Sequence, residues 1–229
     1  MTSAIEVCSL RERSKRERVK RILDATSRIL AKGGYSALNM VDIAQAAEVT
    51  PPTIFNLIGR KEDLLLSLSY SALDQLKNAM EMPPPSASSN DIMHILDSYT
   101  DVLGKDEQMY RALHIAMETL QSQGSELAKI DRQFEDARRL LIQTLEPFRK
   151  HPNMKGNIAF GSLTAALSPS IWALHYFWAH RQLTIVQLNQ ELKRSYLTVL
   201  AADSKPKFQR ELLDQLASLP ETSMSLPGN

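Results

Sequence analysis

Three features of the 229-residue sequence predict an all-α fold. Apolar residues recur at spacings of three and four along nearly the whole chain, and alternating strand patterns are absent. Aromatic residues (6%) and glycines (8) are too sparse for a sandwich or barrel. A hydrophobic fraction of 43% with 23% charged residues is ordinary for a globular chain and excludes wholesale disorder. The length allows one large domain or two small ones. A single cysteine, Cys8, excludes an internal disulfide framework and any multi-cysteine metal cluster. No apolar run follows a charged N-terminus, and no apolar stretch reaches transmembrane length. The expectation is a soluble, cytoplasmic protein with no membrane partner.

The elements follow in order. Val19, Ile22, Thr26 and Ile29, with Leu23 and Leu30, form one apolar stripe that stops at Gly33-Gly34. The basic run 11–21 before it reads as helix from Ser14 onward, with a mobile arm ahead of it. Asn39 is placed to cap a short helix through Ala47 that buries Met40, Ile43, Ala44 and Ala47. Glu48-Val49 makes a tight turn. Thr50 then caps another short helix, and Pro51 suits its first position, where a missing N–H costs nothing. A longer helix runs over 61–80 and ends at prolines. PPPSASSN (83–90) reads as a loop. Further helices are expected at about 90–103, 106–122, 125–149, 155–180, 184–201 and 206–218, followed by a disordered tail at 219–229.

Charge is unevenly spread. Residues 1–61 hold 11 Lys/Arg against 6 Asp/Glu, a net +5, and the rest of the chain carries −4. A basic head on a mildly acidic body suits a polyanion-binding module. Within that head, two helices of about eight residues joined by a short turn make a helix-turn-helix, whose second helix enters the major groove. By pattern alone, an ordinary pair of packed short helices is equally open.

The stretch 22–65 settles the choice: Gly33-Gly34-Tyr35 closing the first helix, Asp42-Ile43-Ala44, Ala47 before Val49 and Thr50, Thr53-Ile54-Phe55-Asn56, and Lys61-Glu62-Asp63-Leu64-Leu65. It resembles the DNA-binding domain of the TetR family of bacterial transcriptional regulators. The resemblance implies an N-terminal three-helix DNA-binding domain (1–62) and a C-terminal helical regulatory and dimerisation domain (63–218). It implies a homodimer on double-stranded operator DNA, usually a repressor released by a small-molecule effector, with no cofactor. It also implies that Asn39 and Lys61 touch phosphate, and that Thr50, Pro51, Pro52, Thr53, Phe55 and Asn56 lie on or near the DNA face. Three positions depart from the family pattern. Phe55 replaces a tyrosine, Leu57 a histidine and Ile58 a phenylalanine, and the first two changes remove polar contacts to DNA.

The double proline narrows the readout. Pro51 and Pro52 have no N–H to offer phosphate, so the Thr50 side chain is left with only the Thr53 N–H to cap. Base reading then falls on the Thr53 hydroxyl, the Asn56 amide and apolar contact of proline rings with thymine methyls.

In the body, Tyr99, Leu103, Tyr110, His114, Met117, Phe134 and Trp172 are the candidate lining of an effector pocket, largely apolar with His114 as a polar handle. Leu163, Leu167, Ile171, Leu174 and Trp178 recur at three to four, as do Leu188 and Leu192. Two such stripes predict a four-helix dimer interface. Ile171, Leu174, His175 and Trp178 are assigned to the partner-facing side, and Trp172 with Tyr176 to the pocket. Five scattered histidines make no metal pattern, and no P-loop, GxGxxG, GxSxG or HExxH occurs. Asp106-Glu107 reads as the acidic first turn of a helix. No enzymatic chemistry, catalytic residue or metal site is expected. The readings from other classes are a helical enzyme or adaptor whose helix-turn-helix only packs, and a regulator whose body binds a protein partner.

Overall fold

A computed structural model describes residues 10–80, 88–124, 127–149 and 151–221. Cys8, the N-terminal arm, most of the proline-rich loop and residues 222–229 of the tail lie outside the described residues. Ten α-helices follow one another: α1 (Leu10–Gly33), α2 (Met40–Ala46), α3 (Pro51–Leu57), α4 (Lys61–Met80), α5 (Ser89–Lys105), α6 (Glu107–Ser122), α7 (Leu127–Gln143), α8 (Phe160–Ala179), α9 (Ile185–Ala202) and α10 (Pro206–Ser218). Among the described residues there is no strand; a single isolated bridge pairs Met154 with Ser204. None of the helices is long and apolar enough to cross a membrane.

Punctuation is local and readable. Asn39 Oδ1 accepts the Val41 N–H at 2.9 Å and starts α2. Ser88 with Asp91, and Thr184 with Gln187, form capping boxes on α5 and α9. Asp106 accepts the Met109 N–H and caps α6, so the acidic pair does mark a helix start. At the junction of α3 and α4, Gly59 adopts φ 131°, and a Cβ there would meet Asp63 Oδ2 at 2.3 Å. That carboxylate accepts the Arg60 N–H at 2.9 Å and fixes the start of α4. Glu48 takes φ 54° in the α2–α3 turn and pairs with Arg21 of α1 at 3.2 Å, tying the turn to the first helix.

Several expectations shift. Helix α1 begins at Leu10 rather than Ser14, so the whole basic run 11–21 is helical; Arg, Lys and Glu are good helix formers. Helix α7 stops at Gln143 and gives way to a 3-10 turn at Glu146–Phe148, where Pro147 cannot continue the ladder. Helix α8 begins at Phe160, not 155. The N–H groups of Gly156 and Asn157 are taken by the Asp203 carboxylate at 3.0 Å each, and Lys155 N–H by its carbonyl at 2.7 Å. These bonds hold the segment as a loop against the end of α9.

Helix α9 is the axis of the body, with α5, α8 and α10 packed around it. Asn189 donates to Asp97 Oδ1 and Thr100 Oγ1 of α5, and the Tyr196 hydroxyl donates to the Leu141 carbonyl at 2.7 Å. This packing corrects the interface expectation. Leu163, Leu167, Ile171, Leu174, Trp178, Leu188 and Leu192 are all buried inside the protomer. Their stripes meet α5, α6, α7 and α9 neighbours rather than facing outward, because four helices, not two, share the core here. The side of α8 left open is its small-residue face: Ala165, Ala166, Pro169 and Trp172, the last 57% exposed.

Because Leu192 is fully buried in one chain, Leu192→Ala should destabilise the protein by about 2–5 kcal/mol through the cavity it leaves. Urea unfolding at several protein concentrations checks this: the loss should not depend on concentration.

Candidate nucleic-acid interface and buried cavity

The head is built by α1, α2, α3 and the start of α4. Helix α3 turns Ile54 into the core and leaves Pro52, Phe55 and Asn56 exposed at helical spacing of three and four, one open face. Phe55 is half-exposed, an unusual position for a phenylalanine with nothing packed over it. Thr50 does not cap α3 with its side chain. Its carbonyl accepts the Thr53 N–H at 2.9 Å, and its hydroxyl bonds that of Thr53 at 2.9 Å. That bond uses one hydroxyl hydrogen, so one threonine keeps a donor, and the Asn56 amide is the other polar group of the exposed face.

Lys61 stands at the first position of α4 with Nζ 3.9 Å from the centre of the Tyr35 ring. Burial against that ring holds its pKa below the ordinary lysine value, despite the Glu62 charge. The ring contact holds the ammonium beside the N-terminus of α4. Asn39 is exposed, but its side-chain oxygen is committed to Val41; only its amide group is left to reach out. Val41, 60% exposed on α2, extends the apolar part of this surface and was not singled out from the sequence. Its place in the first turn of a short helix carries no pattern that marks it.

The body holds an open-mouthed cavity of about 390 Å³ between α4, α5, α6, α7 and α8. All seven residues picked from the sequence as lining (Tyr99, Leu103, Tyr110, His114, Met117, Phe134 and Trp172) border it. The sequence reading missed Ser69, Leu73 and Leu76 of α4, Arg138 and Leu141 of α7, and the cavity-facing side of α8. Ile171, His175 and Trp178, assigned to a partner, line the cavity instead. Trp172 sits at its exposed rim, stacked on Tyr176 at 5.6 Å between ring centres. The stripe of α8 expected to face a partner thus points inward, while Trp172 borders the cavity as expected; periodicity does not say which stripe points inward.

The cavity wall carries an ordered polar chain. His175 Nδ1 lies 2.7 Å from the Ile171 carbonyl, which can only accept, so Nδ1 carries the proton. Its Nε2 then accepts from the Tyr99 hydroxyl at 2.7 Å. Burial pushes the His175 pKa down to about 4, and the neighbouring His114 adds to this against the Ile171 bond. Burial likewise raises Tyr99 and Tyr110. Glu118 accepts from His180 Nε2 at 2.9 Å and lies 3.3 Å from His114 Nε2. Burial alone would raise its pKa, but the two histidines outweigh that and lower it. Across the cavity wall, Trp178 Nε1 donates to Glu107 Oε1 at 3.0 Å, and Arg111 pairs with the same carboxylate and stacks on the indole. No group of three or more histidine, cysteine or acidic side chains suited to a metal exists among the described residues.

Helix α6 joins the two sites. It packs along α1 of the head and supplies Tyr110, Leu113, His114, Met117 and Gln121 to the cavity. Helix α4 does the same, from Lys61 beside the head to Leu76 at the cavity.

A basic three-helix head with an exposed face on α3, carried on a helical body, is a helix-turn-helix arrangement. Residues 22–68 match the family model for bacterial regulatory proteins of the tetR family. It is 30% identical over 130 residues to the HTH-type transcriptional repressor KstR of Rhodococcus jostii, covering 55% of this chain and 61% of that protein. With the KstR of Mycolicibacterium smegmatis it shares 46% identity over 54 residues, 24% of this chain and 26% of that one. The matches thus span less than two thirds of these relatives. In fold, it is similar to the fatty acid degradation regulator FadR from Bacillus halodurans, with a TM-score of 0.63 at 17% identity over 80% of this chain and 94% of that one.

The depressed His175 makes stability pH-dependent. Its folded pKa near 4 lies below the ordinary 6.5, so between these values the unfolded chain binds more protons. Stability from this group is fully present above about 6.5 and is lost as pH falls toward 4, on the order of 3 kcal/mol. Urea unfolding across that window should show the decline, and His175→Gln should flatten it.

Proposed function

We propose that this chain is a homodimeric, operator-binding transcriptional repressor that a small, largely apolar ligand releases from DNA. The observation that carries the reading is the shared use of α6 and α4. Both helices touch the head at one place and wall the cavity at another, so a molecule that wedges the cavity must move the support of the recognition helix. A ligand does this only if it binds the non-DNA state more tightly, and the coupling is reciprocal. The names of the relatives, which are transcriptional repressors, agree with the sign of regulation.

On DNA, the exposed face of α3 enters the major groove. Asn56 offers a bidentate amide to adenine, and Phe55 with Pro52 offers apolar contact to thymine methyls. Lys61 and the helical basic run from Arg11 to Arg21 supply charge to phosphate. A second copy docks on the open small-residue face of α8, where Ala165 and Ala166 allow close approach and Trp172 anchors the contact.

Duplexes selected from a randomised pool test the DNA reading by gel shift. Retention should fall with salt, with a log–log slope of roughly −5 or steeper for a dimer. Lys61→Ala should weaken all sequences alike. Asn56→Ala should relax preference at one or two base pairs at a cost of about 1–3 kcal/mol. Replacing the thymine under Phe55 by deoxyuridine removes one methyl and should cost about 1 kcal/mol. Absence of any sequence preference would overturn the reading.

Dimerisation is checked separately by light scattering. Ala166→Glu should give monomers with unchanged helical content, because the side chain it replaces is exposed in the single chain and a buried charge is costly only in the dimer.

A further inference from the structure

The cavity has two zones. Its rim carries the charge: Asp131, Glu135 and Arg138 of α7 border it, and the Arg138 and Glu135 side chains are 39% and 42% exposed and paired with each other. Gln121 at the rim donates to Asp131 at 2.9 Å. The interior is uncharged. Leu103, Leu113, Met117, Leu141 and Ile171 are buried apolar side chains, and the polar groups among them are mostly spent on one another. Ser69 donates to the Leu66 carbonyl at 2.8 Å. The Tyr99 proton goes to His175, whose own proton goes to Ile171, so neither side chain has a hydrogen left to give.

Two lining groups stand apart: His114 Nε2, which lies 3.3 Å from Glu118 Oε1 without a well-formed hydrogen bond, and the Tyr110 hydroxyl, which has no such neighbour. Tyr110 is only 7% exposed, its hydroxyl oxygen is buried, and among the described residues it has no hydrogen-bond partner. A buried unpaired donor costs about 1–3 kcal/mol, so such a group calls for an explanation. It lines the cavity, and a ligand oxygen is the acceptor it lacks. An ionised group is a poor candidate. The cation that borders the cavity, Arg138, is already paired with Glu135; His175 is held neutral; and the fixed charge that acts on Tyr110 is the carboxylate of Asp106, which would repel an anion. A desolvated, unpaired charge costs far more than one hydrogen bond returns.

We infer that the cavity takes a neutral molecule whose leading end is an uncharged oxygen, a ketone or hydroxyl, seated against the Tyr110 hydroxyl, with an apolar body along α6 and α8. Any charged portion stays at the rim beside Arg138. A volume of about 390 Å³ lies in the range of small-molecule sites, about 300–1,000 Å³. The inference rests on the reading of the cavity as an effector site and adds the polarity of what fills it.

A matched set of eleven-carbon probes tests it: methyl nonyl ketone, undecanol, undecanoate and undecylamine. Trp172 and Trp178, the two tryptophans of the chain, both border the cavity and report binding by fluorescence. The ketone and the alcohol should bind at least tenfold more tightly than undecanoate and undecylamine. Tyr110→Phe should weaken the ketone several-fold, leave undecylamine unchanged and cost no stability, since the hydroxyl it deletes has no partner. Undecanoate binding as tightly as the ketone would overturn the inference, and so would a ketone affinity indifferent to Tyr110→Phe. The comparison of probes on the unaltered protein stands even if the variant fails to fold. Failure of every probe to bind, with sequence-specific DNA retention intact, would overturn both the effector cavity and this inference while leaving the DNA reading in place.

Discussion

Helix α6 is shared between two structures that each need it. One side packs along α1 and so sets where the head sits; another side holds Tyr110, Leu113, His114 and Met117 against the cavity. A helix packed on two faces moves as a rigid rod, since interiors are close-packed and do not absorb a displacement. The anchoring is specific. Glu107 at its first turn holds Trp178 of α8 and Arg111 together, and Arg111 reaches the Leu183 carbonyl at 3.0 Å. Glu118 near its other end binds His180. The body therefore grips α6 at both ends, and the cavity lies between the grips.

The head depends on a different economy of polar groups. Helix α3 is opened by two prolines, so it has little backbone N–H to show at its start. Its threonine hydroxyls bond each other and keep one hydrogen between them to give. Beside them the exposed face holds a phenylalanine, a proline and one asparagine amide. A surface of that kind reads shape and methyl groups, with few polar contacts to fix register. In the proposed complex, orientation on the duplex comes from the flanks, where Lys61 lies over the Tyr35 ring and the basic start of α1 is helical.

The cavity and the head are built on opposite principles. In the head, polar and charged groups are left open to solvent, where a polyanion can find them. In the cavity, most polar groups are closed on another polar group of the same chain; among the described lining residues, His114 Nε2 meets only the Glu118 carboxylate at 3.3 Å and the Tyr110 hydroxyl meets nothing. That contrast is what makes the single open hydroxyl informative: in a wall where Tyr99, His175 and Ser69 are all satisfied, one orphan marks where a partner belongs.

Much was legible in the sequence, because it depends on neighbours along the chain. Helix succession, the Asn39 cap, the proline-opened α3 and the start of α4 at Lys61 all rest on local chemistry and periodicity. The seven cavity residues were legible too, since apolar-face residues of consecutive helices around a shared core have few other places to go. What periodicity could not supply is the direction of a stripe. Leu163, Leu167, Ile171, Leu174 and Trp178 form a clean row, but a row has the same spacing whether it meets a partner chain or α6 and α9 of its own. Helix α8 has apolar residues on every side, so only packing decided that the leucine side turns inward and the alanine side, with Pro169 and Trp172, is left open. The proton order of Tyr99 and His175 and the isolation of Tyr110 are likewise tertiary facts. They join residues separated by 76 positions, and hydrogen bonds across such distances leave no periodic trace in a sequence.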